Sequence, residues 1–204
     1  MTRRLSPRAP GPLLAVLTLA FAGCTVAMST PPPADTPASG EYSNSADHWP
    51  LVFHAHWFGA ACYSTRGCRV EYAGFAHRDD DEAEMTPSIS SLGGAYPSVL
   101  TGGWGPLPNF PPPAVVDWIS SDGTRLHAEV DFNAIFADRL VLHSLERAEI
   151  GPTYNPQPEI ILEVADRTIN VYMRSHISTK ELQKPGNRFS RFRSDLTKAY
   201  SRTY

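Results

Sequence analysis

The sequence predicts a mainly β domain, an antiparallel sandwich or curved sheet with one or two peripheral helices. Apolar and polar residues alternate with a period of two in several segments after residue 50, as in half-buried strands. Turn residues such as Ser121, Asp122 and Gly123 separate neighbouring segments of this kind. A long stretch at residues 77–113 is too rich in Gly and Pro for a regular helix. With 204 residues, 42% of them hydrophobic, the chain can form one domain with a sizeable core.

The first predicted strand lies where the folded domain begins, at residues 48–59. Its alternation places one set of residues on one face and a second set on the other: Leu51, Phe53, Ala55 and Trp57 against Val52, His54, His56 and Phe58. A second strand is predicted over residues 68–75. Between the two strands lie Cys62 and Cys68, and a pair of cysteines in an oxidising compartment is bridged by default. We therefore expect a disulfide that closes the first hairpin.

Two further hairpins are predicted from the alternation and from the turns. Residues 114–120 and 124–132 flank the first turn, with Leu126, Ala128, Val130 and Phe132 facing the core and Arg125, His127, Glu129 and Asp131 facing solvent. Residues 159–165 and 168–175 form the other hairpin, joined by Asp166 and Arg167.

Two segments favour helices. Residues 133–148 carry Ile135, Phe136, Leu140 and Leu145 at roughly helical spacing, with Asn133 as the N-cap. The C-terminal segment places Phe189, Phe192, Leu196 and Tyr200 at i, i+3, i+7 and i+11, which indicates a short amphipathic helix or a fraying tail.

The N-terminus has the composition of an export signal. Arg3, Arg4 and Arg8 precede an apolar run at residues 13–23, and these 11 residues are fewer than the roughly 20 needed to span a bilayer. The run ends in small residues before Cys24, which resembles a bacterial lipobox, although Phe21 stands where leucine is usual. We expect residues 1–23 to be a cleaved signal peptide and Cys24 to be lipidated. The alternative is an ordinary secretory signal that discards Cys24.

The segment that follows, residues 24–47, predicts a flexible tether. It is rich in Pro, Ser and Thr, cannot bury enough apolar surface to fold, and would span roughly 25 to 30 Å as a coil. The single domain then occupies residues 48–204. Thr25 follows the cysteine where sorted lipoproteins of the inner membrane carry Asp, which indicates the outer membrane, facing the periplasm.

The mature chain carries 15 Lys and Arg against 21 Asp and Glu, a formal charge of −6. This balance argues against a nucleic-acid partner. It also argues against attraction to anionic lipid as the means of attachment, so the expected anchor is covalent.

The motif His54-Ala55-His56 is the first candidate site, because a period of two places both imidazoles on one strand face. A metal needs a third and usually a fourth ligand, and no companion motif supplies them. We also find no nucleophile elbow and no phosphate-binding loop. The sequence therefore predicts no metal, no cofactor and no enzyme. A metal-dependent enzyme that uses His54 and His56 is the alternative.

The second candidate site is a partner-binding surface in the long Gly- and Pro-rich stretch. Asp79, Asp80 and Asp81 begin an acidic cluster, and Trp104 lies in a Gly-rich segment. Aromatic residues are favoured anchors at interfaces, which suggests Trp104. A solvated loop is the favoured interpretation of the acidic cluster itself, a docking surface for a partner is the alternative, and calcium is the least favoured, since EF-hand spacing is absent.

A resemblance adds to this picture. The sequence resembles a bacterial lipoprotein family known as domain of unknown function 2931 over roughly residues 50–175, through Gly102, Gly103, Gly105, Leu107, Pro108, Trp118, Ser120 and the strand at 126–132. The cysteine pair and the basic, aromatic C-terminal segment depart from the family. Similar envelope lipoproteins serve as immunity proteins that block secreted toxins. The resemblance thus implies a membrane-anchored protein-binding module, with a structural or envelope-maintenance lipoprotein as the alternative.

Overall fold

The computed structural model describes residues 49–151 and 157–204. The predicted signal peptide, Cys24, the whole tether and His48 lie outside the described residues. The described strands are β1 (Ala55–Tyr63), β2 (Thr65–Tyr72), β3 (Phe75–Asp79), β4 (Trp104–Pro108), β5 (Ala114–Ser120), β6 (Arg125–Val130), β7 (Glu159–Ala165), β8 (Thr168–Ser178) and β9 (Phe192–Thr203). A short helix α1 (Phe132–Ile135) and two 3-10 helices (Ile89–Ala95 and Arg147–Glu149) complete the elements.

The strands form two packed sheets, which confirms the predicted fold class. One sheet has five strands in the order β4-β1-β7-β8-β9, and the other has four in the order β3-β2-β5-β6. Both predicted later hairpins, β5-β6 and β7-β8, are present. The expectation of purely antiparallel pairing is wrong at one place, because β1 and β7 run parallel from Trp57 beside Glu159 to Tyr63 beside Ala165. These strands are distant in sequence, so the connection between them has room to return to the same end of the sheet.

The main core lies between the two sheets, where buried side chains such as Phe58 and Val164 meet Val70, Val116 and Trp118. A smaller cluster lies on the outer face of the five-stranded sheet, where Leu100 and the segment around it cover Ile161 and Tyr172. The central strand β7 is therefore buried on both faces. The long Gly- and Pro-rich stretch is not structureless, since it supplies both this cover and strand β4.

Both predicted helices differ from the structure. The C-terminal segment is strand β9, which pairs along the whole of β8 with one irregularity opposite Val171 and Tyr172. The apolar spacing that indicated a helix there is satisfied by an edge strand that is half-buried on both faces. The helix expected at residues 133–148 is only α1, four residues long and capped by Asp131, not Asn133. Leu140 instead forms an extended bridge with Val52.

The disulfide between Cys62 and Cys68 is present, as predicted. It does not close a hairpin, however, because Cys62 lies on β1 of the five-stranded sheet and Cys68 on β2 of the four-stranded sheet. The bridge joins the two sheets beside the tight turn at Ser64.

The strand directions define two ends of the sandwich. The entry end contains Trp49, where the described chain begins, the starts of β1 and β7, and the loop at residues 179–191 that joins β8 to β9. The far end contains the β1-β2 turn and the turns of the later hairpins. There the backbone N–H of Asp166 donates to the Tyr63 carbonyl oxygen at 2.9 Å, and the Trp118 indole donates to the Asp166 carbonyl oxygen at 2.7 Å.

Candidate functional site

The two histidines of the predicted metal motif do not share a strand face. The alternation changes phase between Phe53 and His56, because regular pairing of β1 begins only at Ala55. As a result His54 is exposed and His56 is completely buried between the sheets. The prediction that both imidazoles point the same way is wrong.

Hydrogen bonds occupy both ring nitrogens of His56. The Asn109 side-chain amide donates from Nδ2 to the Phe53 carbonyl oxygen at 3.0 Å, which turns its Oδ1 towards His56. Nδ1 of His56 therefore donates to that oxygen at 2.7 Å, and Nε2 accepts from the Tyr72 hydroxyl at 3.1 Å. Burial lowers the pKa of His56 to about 4. His56 is a neutral histidine that ties β1 to β2, and neither nitrogen is left for a metal.

One group of potential metal ligands does lie close together within the described ranges. It consists of Cys62, Cys68 and Asp80, with ligand atoms within 4.8 Å of one another. The two sulfurs are bonded to each other, so they cannot ligate an ion while the disulfide is formed.

Trp104 lies on strand β4, not in an irregular loop, and it faces the neighbouring sheet. Its ring centroid is 4.8 Å from that of Phe75 and 4.8 Å from that of His77, both on β3. We call these three residues the aromatic edge, because β3 and β4 are the edge strands of the two sheets on the same side of the sandwich. Phe75 is 57% exposed, Trp104 half-buried.

A glycine lets β4 approach β1 closely enough to form this edge. Gly105 has a φ of +146°, and a Cβ there would lie 2.9 Å from the carbonyl oxygen of His56. A side chain at this position would therefore displace β4 and Trp104. The sequence signal for the edge was the Gly-rich segment itself, whereas Phe75, at the tip of the β2-β3 hairpin, was missed.

The three predicted aspartates have different environments. Asp79 ends β3, four residues after Phe75, and is exposed. Asp80 forms a salt bridge with Arg78 at 2.5 Å, and its side chain is only 19% exposed. Asp81 is exposed, and its carboxylate accepts from the backbone N–H of Ala83 at 2.8 Å. Part of the acidic cluster thus stabilises the far end, and Asp79 and Asp81 remain accessible to a partner.

A buried carboxylate lies on the outer face of the five-stranded sheet. One oxygen of Glu163 accepts from Asn170 Nδ2 at 2.8 Å and from the hydroxyls of Tyr172 and Tyr96 at 3.3 and 3.4 Å. Burial is the main cause that raises the pKa of both tyrosines. Tyr96 follows the 3-10 helix at Ile89–Ala95, so this network fastens the covering segment to the sheet.

The loop at residues 179–191 is a second feature that the sequence prediction missed. Phe189 is 71% exposed and Phe192, the first residue of β9, is 50% exposed. The sequence feature that could have indicated this loop is its mixture of Phe, Lys and Arg. The sequence prediction placed these residues in a helix instead.

No protein-family model, no curated protein and no solved structure matches the chain. The resemblance to the lipoprotein family therefore stays a prediction. None of the helices within residues 49–151 and 157–204 has the length and apolar character required to cross a membrane.

Proposed function

We propose that the protein is a lipid-anchored envelope protein whose domain binds another protein through the aromatic edge. The observation that carries this proposal is the contact of Phe75 with Trp104, which joins two neighbouring edge strands and leaves Phe75 largely exposed. Large exposed aromatic side chains are frequent anchors of protein interfaces.

The backbone of the same edge supports binding. Among the described strands, β3 pairs only with β2 and β4 only with β1, so each has an outer edge with backbone groups that a partner strand can engage. Aromatic anchors and edge backbone together offer both apolar contact and directional hydrogen bonds.

Charge favours a basic partner. Asp79 ends β3, the strand that carries Phe75, and Asp81 follows it opposite Gly67; both are exposed. Acidic groups at the rim of an interface speed the encounter with a basic surface and exclude acidic partners. Neutralisation of a secreted toxin is one form of this function. A structural role in the envelope would use the same surface with a resident envelope protein as partner, so the identity of the partner separates the two.

The test is affinity capture from envelope extracts with the mature chain, carrying a tag in place of the lipid. Two variants change the edge, Phe75→Ser alone and Phe75→Ser with Trp104→Ala. Phe189→Ser is the matched control, because Phe189 is also an exposed phenylalanine but lies before β9, on the side of the sandwich opposite β3 and β4.

We expect one partner in stoichiometric amount with the wild-type chain and with the control, and recovery at least about tenfold lower with both edge variants. Addition of the wild-type chain should also abolish the activity of a toxin recovered in this way. Repeated captures without a partner, or a partner that the edge variants retain, would contradict the proposal. Stoichiometric metal in a partner-free sample would favour the metal-dependent enzyme.

A further inference from the structure

We propose that the entry end carries a second docking surface, and that this surface binds a bilayer containing anionic phospholipid. We call it the basic loop, residues 179–192. It is separate from the aromatic edge, and its two exposed phenyl rings, Phe189 and Phe192, are surrounded in sequence by lysines and arginines.

Exposed apolar side chains concentrate at this end. Six large apolar residues are exposed in the described part of the chain, and four of them are aromatic: Phe75 on the aromatic edge, Trp49 at the start of the described chain, and Phe189 and Phe192 in the basic loop. Aromatic rings at the headgroup level of a bilayer bury apolar surface while remaining near water.

The charge of the chain is strongly segregated. Residues 179–192, the basic loop, carry four Lys and Arg and one acid, a formal charge of +3, whereas the rest of the mature chain, residues 24–178 and 193–204, carries 11 Lys and Arg and 20 acids, a formal charge of −9. The net charge of the mature chain argued against attraction to anionic lipid, but the average conceals this cationic region. A charged lipid surface senses mainly the protein charges within a Debye length of it, about 10 Å at 0.1 M salt.

The cations of the basic loop are not used by the fold. Lys180, Lys184, Arg188 and Arg191 are all exposed, and none forms a salt bridge with a described acidic residue. Arg188 lies over the Phe189 ring at 4.6 Å, so one cation and one apolar group share the tip. Glu181 is the only acid within the loop itself.

Internal hydrogen bonds give the basic loop a defined shape before it binds. Ser190 is buried, its hydroxyl oxygen accepts from the backbone N–H of Lys184 at 2.9 Å, and its carbonyl oxygen accepts from the backbone N–H of Gln183 at 2.8 Å. The Asn187 side chain also accepts from the backbone N–H of Phe189 at 3.0 Å. Phe189 and Arg188 are thereby held outward, and little conformational entropy remains to be lost on docking.

The position at which the described chain begins indicates which end of the domain faces the membrane, and this step rests on the proposed lipid anchor. The Trp49 ring contacts His143 at 5.5 Å, and the backbone N–H of the next residue, Ser144, donates to Asp195 of β9 at 2.9 Å. The described chain therefore begins at the same end as the basic loop. Only 24 residues separate Cys24 from Trp49, so an anchored chain brings this end towards the membrane.

The combination of exposed rings and unpaired cations favours a bilayer over an acidic protein. Interfacial binding increases with buried apolar area and with attraction to anionic lipid, and the basic loop offers both from one convex turn. The aromatic edge lies on β3 and β4, on the side of the sandwich opposite β9, so it is separate from the basic loop.

The test uses the mature chain with Cys24→Ala, so that no acyl chain contributes, and vesicles of phosphatidylcholine with or without about 30% phosphatidylglycerol. One variant combines Phe189→Ser with Phe192→Ser, and another combines Arg188→Gln with Arg191→Gln. Phe75→Ser and Arg125→Gln are matched controls, since both residues are exposed and lie outside the basic loop.

We expect co-sedimentation with the anionic vesicles only, weakened by salt. The arginine variant should bind about fivefold more weakly for each charge removed, and the phenylalanine variant at least about tenfold more weakly. Both controls should bind like the parent chain. Absence of binding, or equal loss in loop variants and controls, would overturn the proposal.

Equal binding to soluble polyglutamate, unaffected by the phenylalanine variant, would also overturn it and would assign the loop to an acidic polymer. Loss of protein capture by the edge variants leaves vesicle binding unchanged, so the two proposals fail separately.

Discussion

The two ends of the sandwich use their charges differently. At the far end, acidic side chains are engaged by the fold: Asp80 with Arg78, Glu82 with Arg125, and Asp122 with Arg167. At the entry end, Lys180, Lys184, Arg188 and Arg191 have no such partners among the described residues. The acidic run is the more conspicuous feature of the sequence, yet more of the charged side chains of the basic loop are without a salt bridge. Local pairing, and not the number of charges, decides which end is available for binding.

The largest effect is expected from the disulfide at the far end. Changing Cys62 and Cys68 to Ala should lower the free energy of unfolding by about 2 kcal/mol or more, because the bridge restricts the unfolded chain and joins the two sheets. Urea denaturation of the oxidised wild type, the reduced wild type and the double variant measures this. Equal stability of the oxidised and reduced proteins would show that the far end does not depend on the bridge.

Acid should act on the core through His56. Its pKa is about 4 in the folded protein and near 6.5 in the unfolded chain, so the unfolded state binds more protons between these values. Stability is therefore complete above about pH 6.5 and declines as the pH falls towards 4, by about 2 kcal/mol at pH 5. His77 and His143, whose pKa burial also lowers, act in the same direction.

Urea denaturation at pH 7 and pH 5 provides the measurement, with His56→Gln as the diagnostic variant. This variant should be less stable at pH 7 but should lose much less stability on acidification. A variant that keeps the full acid dependence would exclude His56 as its main source.

A direct comparison of the two ends comes from single charge removals. Asp80→Ala should lower the free energy of unfolding by about 1 to 2 kcal/mol, because it leaves the partly buried Arg78 guanidinium without its carboxylate. Arg191→Ala, at the entry end, should change it by less than about 0.5 kcal/mol. Thermal or urea unfolding of the two variants provides the measurement. Equal losses of stability in the two variants would contradict the difference between the two ends.

The smallest effect is expected at the exposed pair of Glu82 and Arg125, whose side chains are 58% and 71% exposed. Glu82→Gln should cost less than about 1 kcal/mol, since solvent and salt screen this contact. The variant should lose less stability than Asp80→Ala in the same assay. The reverse order would show that the contribution of these ion pairs to stability does not follow their burial.

The parts of the fold that were predicted correctly depend on local patterns. The β5-β6 and β7-β8 hairpins have clear alternation and short turns, so pattern and structure agree. The prediction of a C-terminal helix was wrong, because its four apolar residues are also compatible with the edge strand β9. The pairing of β9 with β8 is a tertiary contact that the local pattern does not show. Pairing overrides such a weak periodicity.

The site was predicted only in part, and for a related reason. Trp104 was predicted as an interface residue because it is a Trp in a Gly- and Pro-rich segment, and the disulfide was predicted from the pair of cysteines. The pairing of Trp104 with Phe75 depends on two sheets meeting at one side, and the parallel contact of β1 with β7 brings distant segments together. His54 and His56 do not share a face because the alternation changes phase between Phe53 and His56, where β1 begins at Ala55 and not at residue 48.

The central claim is that the entry end meets the membrane while the far end does not. An environment-sensitive fluorophore attached through Phe189→Cys or, separately, through Asp79→Cys on the lipid-anchored protein in anionic vesicles tests it directly. The account predicts a blue shift and quenching by lipid-borne quenchers at position 189 and neither at position 79. Equal responses at the two positions, or a response at position 79 alone, would contradict it.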